Sequence, residues 1–235
     1  MSSLDIEEIT TINELQEIMP QCRRCPRLVE WREQIAREKV ARFQNWSYWG
    51  KPVPSLGDAK ARLLVVGLAP AAHGGNRTGR IFTGDRSGDW LYRSLHKFGF
   101  ANQPISLDRN DGLKLIDCYI TAILHCAPPS NKPKPQEILN CRPYLLRELE
   151  LLQRIQVIVT LGKLAFDNIW SVQKLEQKPK RPAFSHGMEI PWEAEKTLIA
   201  SIHPSQQNTF TGKLTEPMFD AVFRRARELI HGERF

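Results

Sequence analysis

No apolar run in this 235-residue chain is long enough to span a bilayer; the longest, near Leu63, is broken by Gly67 and Pro70. The opening stretch, MSSLDIEEIT, is acidic and polar, which argues against a signal peptide and for a cytoplasmic protein. Internal repeats and low-complexity tracts are missing, so no repeat array is expected. Cysteine is scarce, at five residues. In a reducing compartment these are core residues, metal ligands or reactive thiols rather than a disulfide framework. Acidic residues are in deficit: 26 against 33 Lys and Arg leave a net charge of +7. That balance favours an anionic partner such as nucleic acid. The length suits one α/β domain, and residues 1–235 are read as a single domain.

A further absence is local. Residues 67–75, GLAPAAHGG, follow the apolar run Leu63-Leu64-Val65-Val66, an arrangement that usually delivers a ligand-binding loop. Yet the first five residues of this turn offer no Ser or Cys nucleophile, no Lys and no carboxylate. A nucleotide-hydrolysing phosphate loop is excluded as well. Residues 74–79 have the G-x4-G spacing, but Arg80 and Ile81 stand where the ammonium and the Mg²⁺-binding hydroxyl are needed.

What is present is an alternation of strands and helices. Residues 11–42 carry a helical pattern interrupted at Cys22 and Cys25, ahead of Pro26. Residues 43–58 are aromatic and proline-rich, an ordered loop. Apolar runs at 62–69, 118–124, 157–161 and 197–202 read as buried parallel strands. Helical patterns lie at 87–98, 136–153, 163–170 and 216–230, the last with Met218, Phe219, Val222 and Phe223 as its apolar stripe. The expected fold is α/β, a three-layer α/β/α sandwich around a central four-stranded parallel sheet. Ligands in such sheets bind beyond the carboxyl ends of the strands, which puts 67–85, 125–135, Gly162 and 203–208 on one rim. The polar stretch 174–195 reads as a loop or small hairpin. Its Lys178-Pro179-Lys180-Arg181-Pro182 run is a solvated linker in preference to a phosphate patch.

Cys22 and Cys25 form a C-x2-C pair, and Cys126 and Cys141 a second pair far downstream. Two such pairs can complete a four-thiolate site, whereas Cys118, inside an expected strand, suits an inert core role. Spacing alone leaves zinc and an iron–sulfur cluster open.

Each rim loop has a plain and a functional reading. Phe82 is a core residue or a stacking platform. Asp85 is a carboxylate near free helix amides or the site carboxylate, with Ser87 as candidate N-cap. Asn131 is a turn former or a paired donor and acceptor for a base edge. His203 is a buried or capping imidazole or a donor to a developing anion.

Taken in order, GLAPAAHGGNRTGRIFTGD, the C-x2-C pair, APPSNKP and HPSQQN resemble the uracil-DNA glycosylase superfamily, and within it the iron–sulfur type B enzymes of family five. The resemblance runs from Cys22 to about Asn208 and includes YWGKPVP. Sister family-four enzymes have Glu where this chain has Leu68 and Gly where it has Ala71, and other branches place Asp or Asn at Ala69. The resemblance implies a monofunctional DNA glycosylase of base excision repair. Such an enzyme flips uracil, and by extension hypoxanthine or xanthine, from DNA and hydrolyses the N-glycosidic bond, leaving an abasic site. It implies Asp85, His203 and Asn131 as catalytic residues, and Phe82 as the platform under the base. The backbone of 67–73, with Gly67, Ala69, Ala71 and His73, would form the pocket floor. Ser87, Ser205 and Asn208 would lie on the DNA side. It further implies a structural 4Fe–4S cluster on Cys22, Cys25, Cys126 and Cys141 that staples the N-terminal helical segment, with zinc as the alternative. DNA is the expected partner, no membrane is, and a monomer working near the nucleoid suffices. Two other classes share these features: a non-catalytic metal-stapled DNA-binding module, and a hydrolase of free nucleotides.

Overall fold

The computed structural model describes residues 6–174, 179–193 and 195–232. Lys178 of the basic run therefore lies outside the described residues. In chain order the elements are α1 (Ile12–Ile18), α2 (Pro26–Glu38), β1 (Leu56–Gly57), β2 (Leu63–Gly67), α3 (Gly75–Thr78), α4 (Arg86–Lys97), β3 (Cys118–Ala122), α5 (Pro135–Leu151), β4 (Val157–Leu161), α6 (Lys163–Ser171), β5 (Met188–Trp192), β6 (Lys196–Ser201), α7 (Gln206–Phe210) and α8 (Glu216–His231).

The strands form one sheet in the order β1-β3-β2-β4-β6-β5. The four central strands are parallel, as their apolar runs require. Every residue of β2, β3 and β4 is buried, because helices cover both faces. Alternation sorts the side chains. Leu63 and Val65 point into one core with Trp90, Leu91 and Leu95 of α4 and Phe219, Val222 and Phe223 of α8. Leu64 and Val66 point into the other, with Leu145 of α5 and Phe166, Ile169 and Trp170 of α6. The result is the three-layer sandwich. A third cluster, Ile6, Leu15, Met19 and Tyr144, packs the N-terminal helices against α5.

The sheet is larger than the expected four strands. β1 and β5 add antiparallel edges, the first on β3 and the second on β6. Stretch 174–195 thus contributes one arm of a hairpin. The N-terminal pattern 11–42 is two helices, and Cys22 and Cys25 sit in the break between them. Lys39, at φ 56°, ends α2 before residue 42. No helix among the described residues is long and apolar enough to cross a membrane.

Candidate active site

The rim is assembled by two glycines at strand ends. β2 ends at Gly67, where an added Cβ would lie 2.5 Å from Cζ of Phe82. Only glycine lets that ring close over the strand end. Beyond β4, Gly162 (φ +96°) leaves room for His203, whose Cβ would be 3.2 Å from an added one. The Phe82 and His203 rings then stand 6.1 Å apart at 31°.

Asp85 does two things at once. It, not Ser87, is the N-cap of α4: one carboxylate oxygen accepts from the Gly88 N–H at 3.1 Å. Ser87 is two residues too far along, already inside the helix. The other oxygen, Oδ2, turns toward the featureless loop, 2.2 Å from where a Cβ on Gly74 would stand, with the Ala71 methyl close by. Burial raises the Asp85 pKa, and the amides of Gly88 and Ser87 oppose that rise. The loop that lacks a carboxylate of its own therefore receives one from the next segment.

His203 is half-buried, and burial pushes its imidazole down to about 4, so the ring is neutral near pH 7. Its backbone carbonyl is held by Asn208 Nδ2 at 2.8 Å, and Asn208 in turn donates its N–H to Ser205, the N-cap of α7. No ring hydrogen bond is made by His203 among the described residues, so an N–H is free for a ligand. Asn131 sits apart from this group. It closes a short turn, Pro129–Asn131, in which Ser130 and Asn131 both have positive φ (54° and 55°). Such paired left-handed residues are strained and are held only for a reason. The Asn131 side chain is exposed, and no hydrogen bond or ring contact joins it to Asp85, Phe82 or His203 among the described residues.

Three supports were not readable in advance. The Tyr48 hydroxyl lies 3.1 Å from His73 Nδ1, fixing the ring that ends the floor loop. Arg77 donates Nε to the His73 carbonyl at 2.7 Å and Nη2 to the Gly84 carbonyl at 3.2 Å, bridging the floor loop to the Asp85 segment. Its guanidinium stacks on Phe43 and Trp46, 3.8 and 4.1 Å from their ring centres. Beneath Phe82, buried Arg80 binds Thr83 (3.0 Å), Ser106 (2.7 Å) and Asp111 (2.5 Å). Burial works against the charge on Asp111, but Arg80 and the amides of Leu113 and Leu107 hold its pKa at about 2. This network fixes the left-handed Phe82 backbone (φ 51°).

Away from this rim, Cys22, Cys25, Cys126 and Cys141 line one small pocket with Leu28, Val29, His125 and Tyr144. Arg32 Nη1 donates to Cys126 Sγ at 2.8 Å, and Asn140 Nδ2 to Cys25 Sγ at 3.5 Å. A donor set of four sulfurs with N–H groups aimed at two of them fits a thiolate-bound centre, because buried thiolates need such compensation. The four are not drawn together at ligating spacing among the described residues. Cys118 is buried in β3, in the core that faces α4 and α8.

A doubly wound sandwich with an imidazole, a half-buried carboxylate and an aromatic ring gathered at its carboxyl rim places the chain among glycosylase-type α/β folds. The chain belongs to the uracil DNA glycosylase superfamily, whose family model matches residues 54–227. Within it, the similarity is to type-5 uracil-DNA glycosylases. One from Mycobacterium tuberculosis is 49% identical over 220 residues, covering 93% of this chain and 82% of that protein. One from Thermus thermophilus is 47% identical over 208 residues, covering 88% and 93%. A type-4 uracil-DNA glycosylase from Archaeoglobus fulgidus is more distant, 32% identical over 155 residues, covering 65% of this chain and 70% of that protein.

Proposed function

We propose that this chain extrudes a deaminated base from DNA into the rim pocket and hydrolyses its N-glycosidic bond, with uracil as a substrate. The observation that carries the mechanism is the aim of Asp85 Oδ2 at the floor loop while Phe82 and His203 pair across the strand ends. The bond between C1′ and the base nitrogen breaks heterolytically, and its electron pair leaves with the base. A neutral His203 is a hydrogen-bond donor and not a proton source, so it stabilises the departing base as an anion. Phe82 stacks on the base, and Asn131 closes over its Watson–Crick edge once DNA is bound. Asp85 orients water toward C1′ or steadies the sugar cation, and takes up the proton that water loses. The backbone from Gly67 to His73 forms the floor. The small side chains of Ala69 and Ala71 leave space for hypoxanthine and xanthine. Ser87 and Ser205 lie at helix starts suited to phosphate, with Asn208 behind them.

Cys22, Cys25, Cys126 and Cys141 are the residues that would hold a 4Fe–4S cluster, with zinc as the alternative. Bound there, the group supplies a cross-link and no chemistry to base release. Through it the four cysteines would tie the break before α2 to the loop after β3 and to α5. Residues 1–235 act as one glycosylase domain, as a monomer, on chromosomal DNA in the cytoplasm. The deciding experiment is single-turnover base release from strands containing uracil, hypoxanthine or xanthine, beside the free nucleosides. Release from DNA alone is expected. Turnover of free nucleosides, or DNA binding without release, would overturn the reading.

A further inference from the structure

The aromatic segment before β1 carries none of the steps assigned above, yet it is built onto the floor loop. Trp49 N–H donates to the Arg77 carbonyl at 2.9 Å and Gly50 N–H to the Asn76 carbonyl at 3.1 Å. The Trp49 ring covers Gly79, where an added Cβ would be 2.9 Å from Cδ2. Its Nε1 donates to the Pro52 carbonyl. With Tyr48 on His73, the segment is tied to the floor loop at several points.

The outer side of that body carries cations. Arg109 and Lys51 lie over Trp49, 4.7 and 5.5 Å from a ring centre, and Arg42 lies 4.5 Å over Phe43. Arg37 lines one open groove with Lys51, Trp49 and Gly50. All four cations are exposed, and none is in an ion pair with a carboxylate among the described residues. The one acid in the groove, Glu33, is taken by Arg23. Elsewhere Arg27, Arg62, Arg80, Arg93 and Arg225 are all matched with carboxylates. A ring under a cation orients the charge without neutralising it, so its N–H donors stay available to an anion.

We propose that this shelf, Arg37, Lys51 and Arg109 around Trp49 with Arg42 at its pocket end, grips the sugar–phosphate backbone of the substrate beside the extruded nucleotide. The proposal rests on DNA being the substrate. It commits the face outside the floor loop to backbone contacts that carry no sequence information. Each phosphate contact releases counterions and contributes about −0.9 to the slope of log affinity against log salt.

The test is the salt dependence of binding to a uracil-free duplex. The combined variant Arg37→Ala, Lys51→Ala, Arg109→Ala should flatten the slope by roughly 2 to 3 units. Lysine at positions 37 and 109 should restore the slope. Lys60→Ala with Arg154→Ala, exposed positions just before β2 and β4 at the amino end of the parallel strands, should leave it as it was. An unchanged slope in the shelf variant, or an equal loss in the Lys60 and Arg154 variant, overturns the proposal. Because binding is read without uracil, a failure of base release is seen separately.

Discussion

Glu148 is the most heavily buried carboxylate in the molecule with no cation beside it. It accepts hydrogen bonds from Ser55, from Thr121 at 2.5 Å and from Tyr119 at 3.1 Å, and it is 0% exposed. Burial outweighs those three donors and pushes its pKa from 4.5 to about 7. The folded state therefore holds a proton that the unfolded state releases at lower pH. The stability this represents is complete below pH 4.5 and is lost as pH rises through 7. A rise of that size corresponds to about 3 kcal/mol. Glu148→Gln keeps an acceptor and a hydrogen-bonding amide in place but cannot ionise. Urea unfolding from pH 5 to pH 8.5 should show the wild type losing most of that amount relative to the variant, with the two converging at the acid end. The difference between the two chains removes the contributions of other titrating groups. Parallel stability curves for the two would refute the reasoning, and so would a variant less stable than the wild type at pH 8.

Four further outcomes follow from the rim. Asp85→Asn keeps an oxygen for the Gly88 N–H, so melting should barely move, while single-turnover release falls about 10²–10⁴-fold; near-normal release would remove Asp85 from the mechanism. His203→Ala should cost about 2.7–4 kcal/mol in the release step with DNA affinity preserved. Because the ring of His203 titrates at about 4, wild-type release should show no limb from this residue between pH 5.5 and 8, and a His203-dependent limb in that range would contradict the neutral-donor role. Ala71→Val fills space beside Asp85 and should lower hypoxanthine release more than uracil release when the two rates are compared; equal losses would show that the floor does not select by size.

The sequence was most legible where physics is most repetitive. Strands β2, β3, β4 and β6 are covered on both faces, so they read as continuous apolar runs. The edge strands were harder. β1 is two residues long, and β5 carries Pro191 and buries only Trp192, which reads like a loop. The helix start was misjudged by two residues because both Asp85 and Ser87 are good caps, and only backbone geometry chooses between them. Sequence order brought Asp85, Phe82 and His203 to one rim, but not the parts that hold them. Arg80 meets Asp111 across 31 positions and Tyr48 meets His73 across 25, and no local periodicity records either pairing. Asn131 was recognisable as an unusual turn residue, while its place relative to the other three is set by a loop with no regular structure to lock it.

The glycines at 67 and 162 mean that this pocket exists by subtraction. Phe82 and His203 occupy space that any other residue at those strand ends would fill. Substitution is resisted at both: a Cβ at Gly67 meets the Phe82 ring at 2.5 Å, and Gly162 has φ +96° with the His203 Cβ 3.2 Å away. The floor at Ala69 and Ala71 is the wall on which single substitutions can enlarge or shrink the cavity while leaving both rings in place. On the proposed function, a library aimed at new damaged bases is best spent on those two methyl groups.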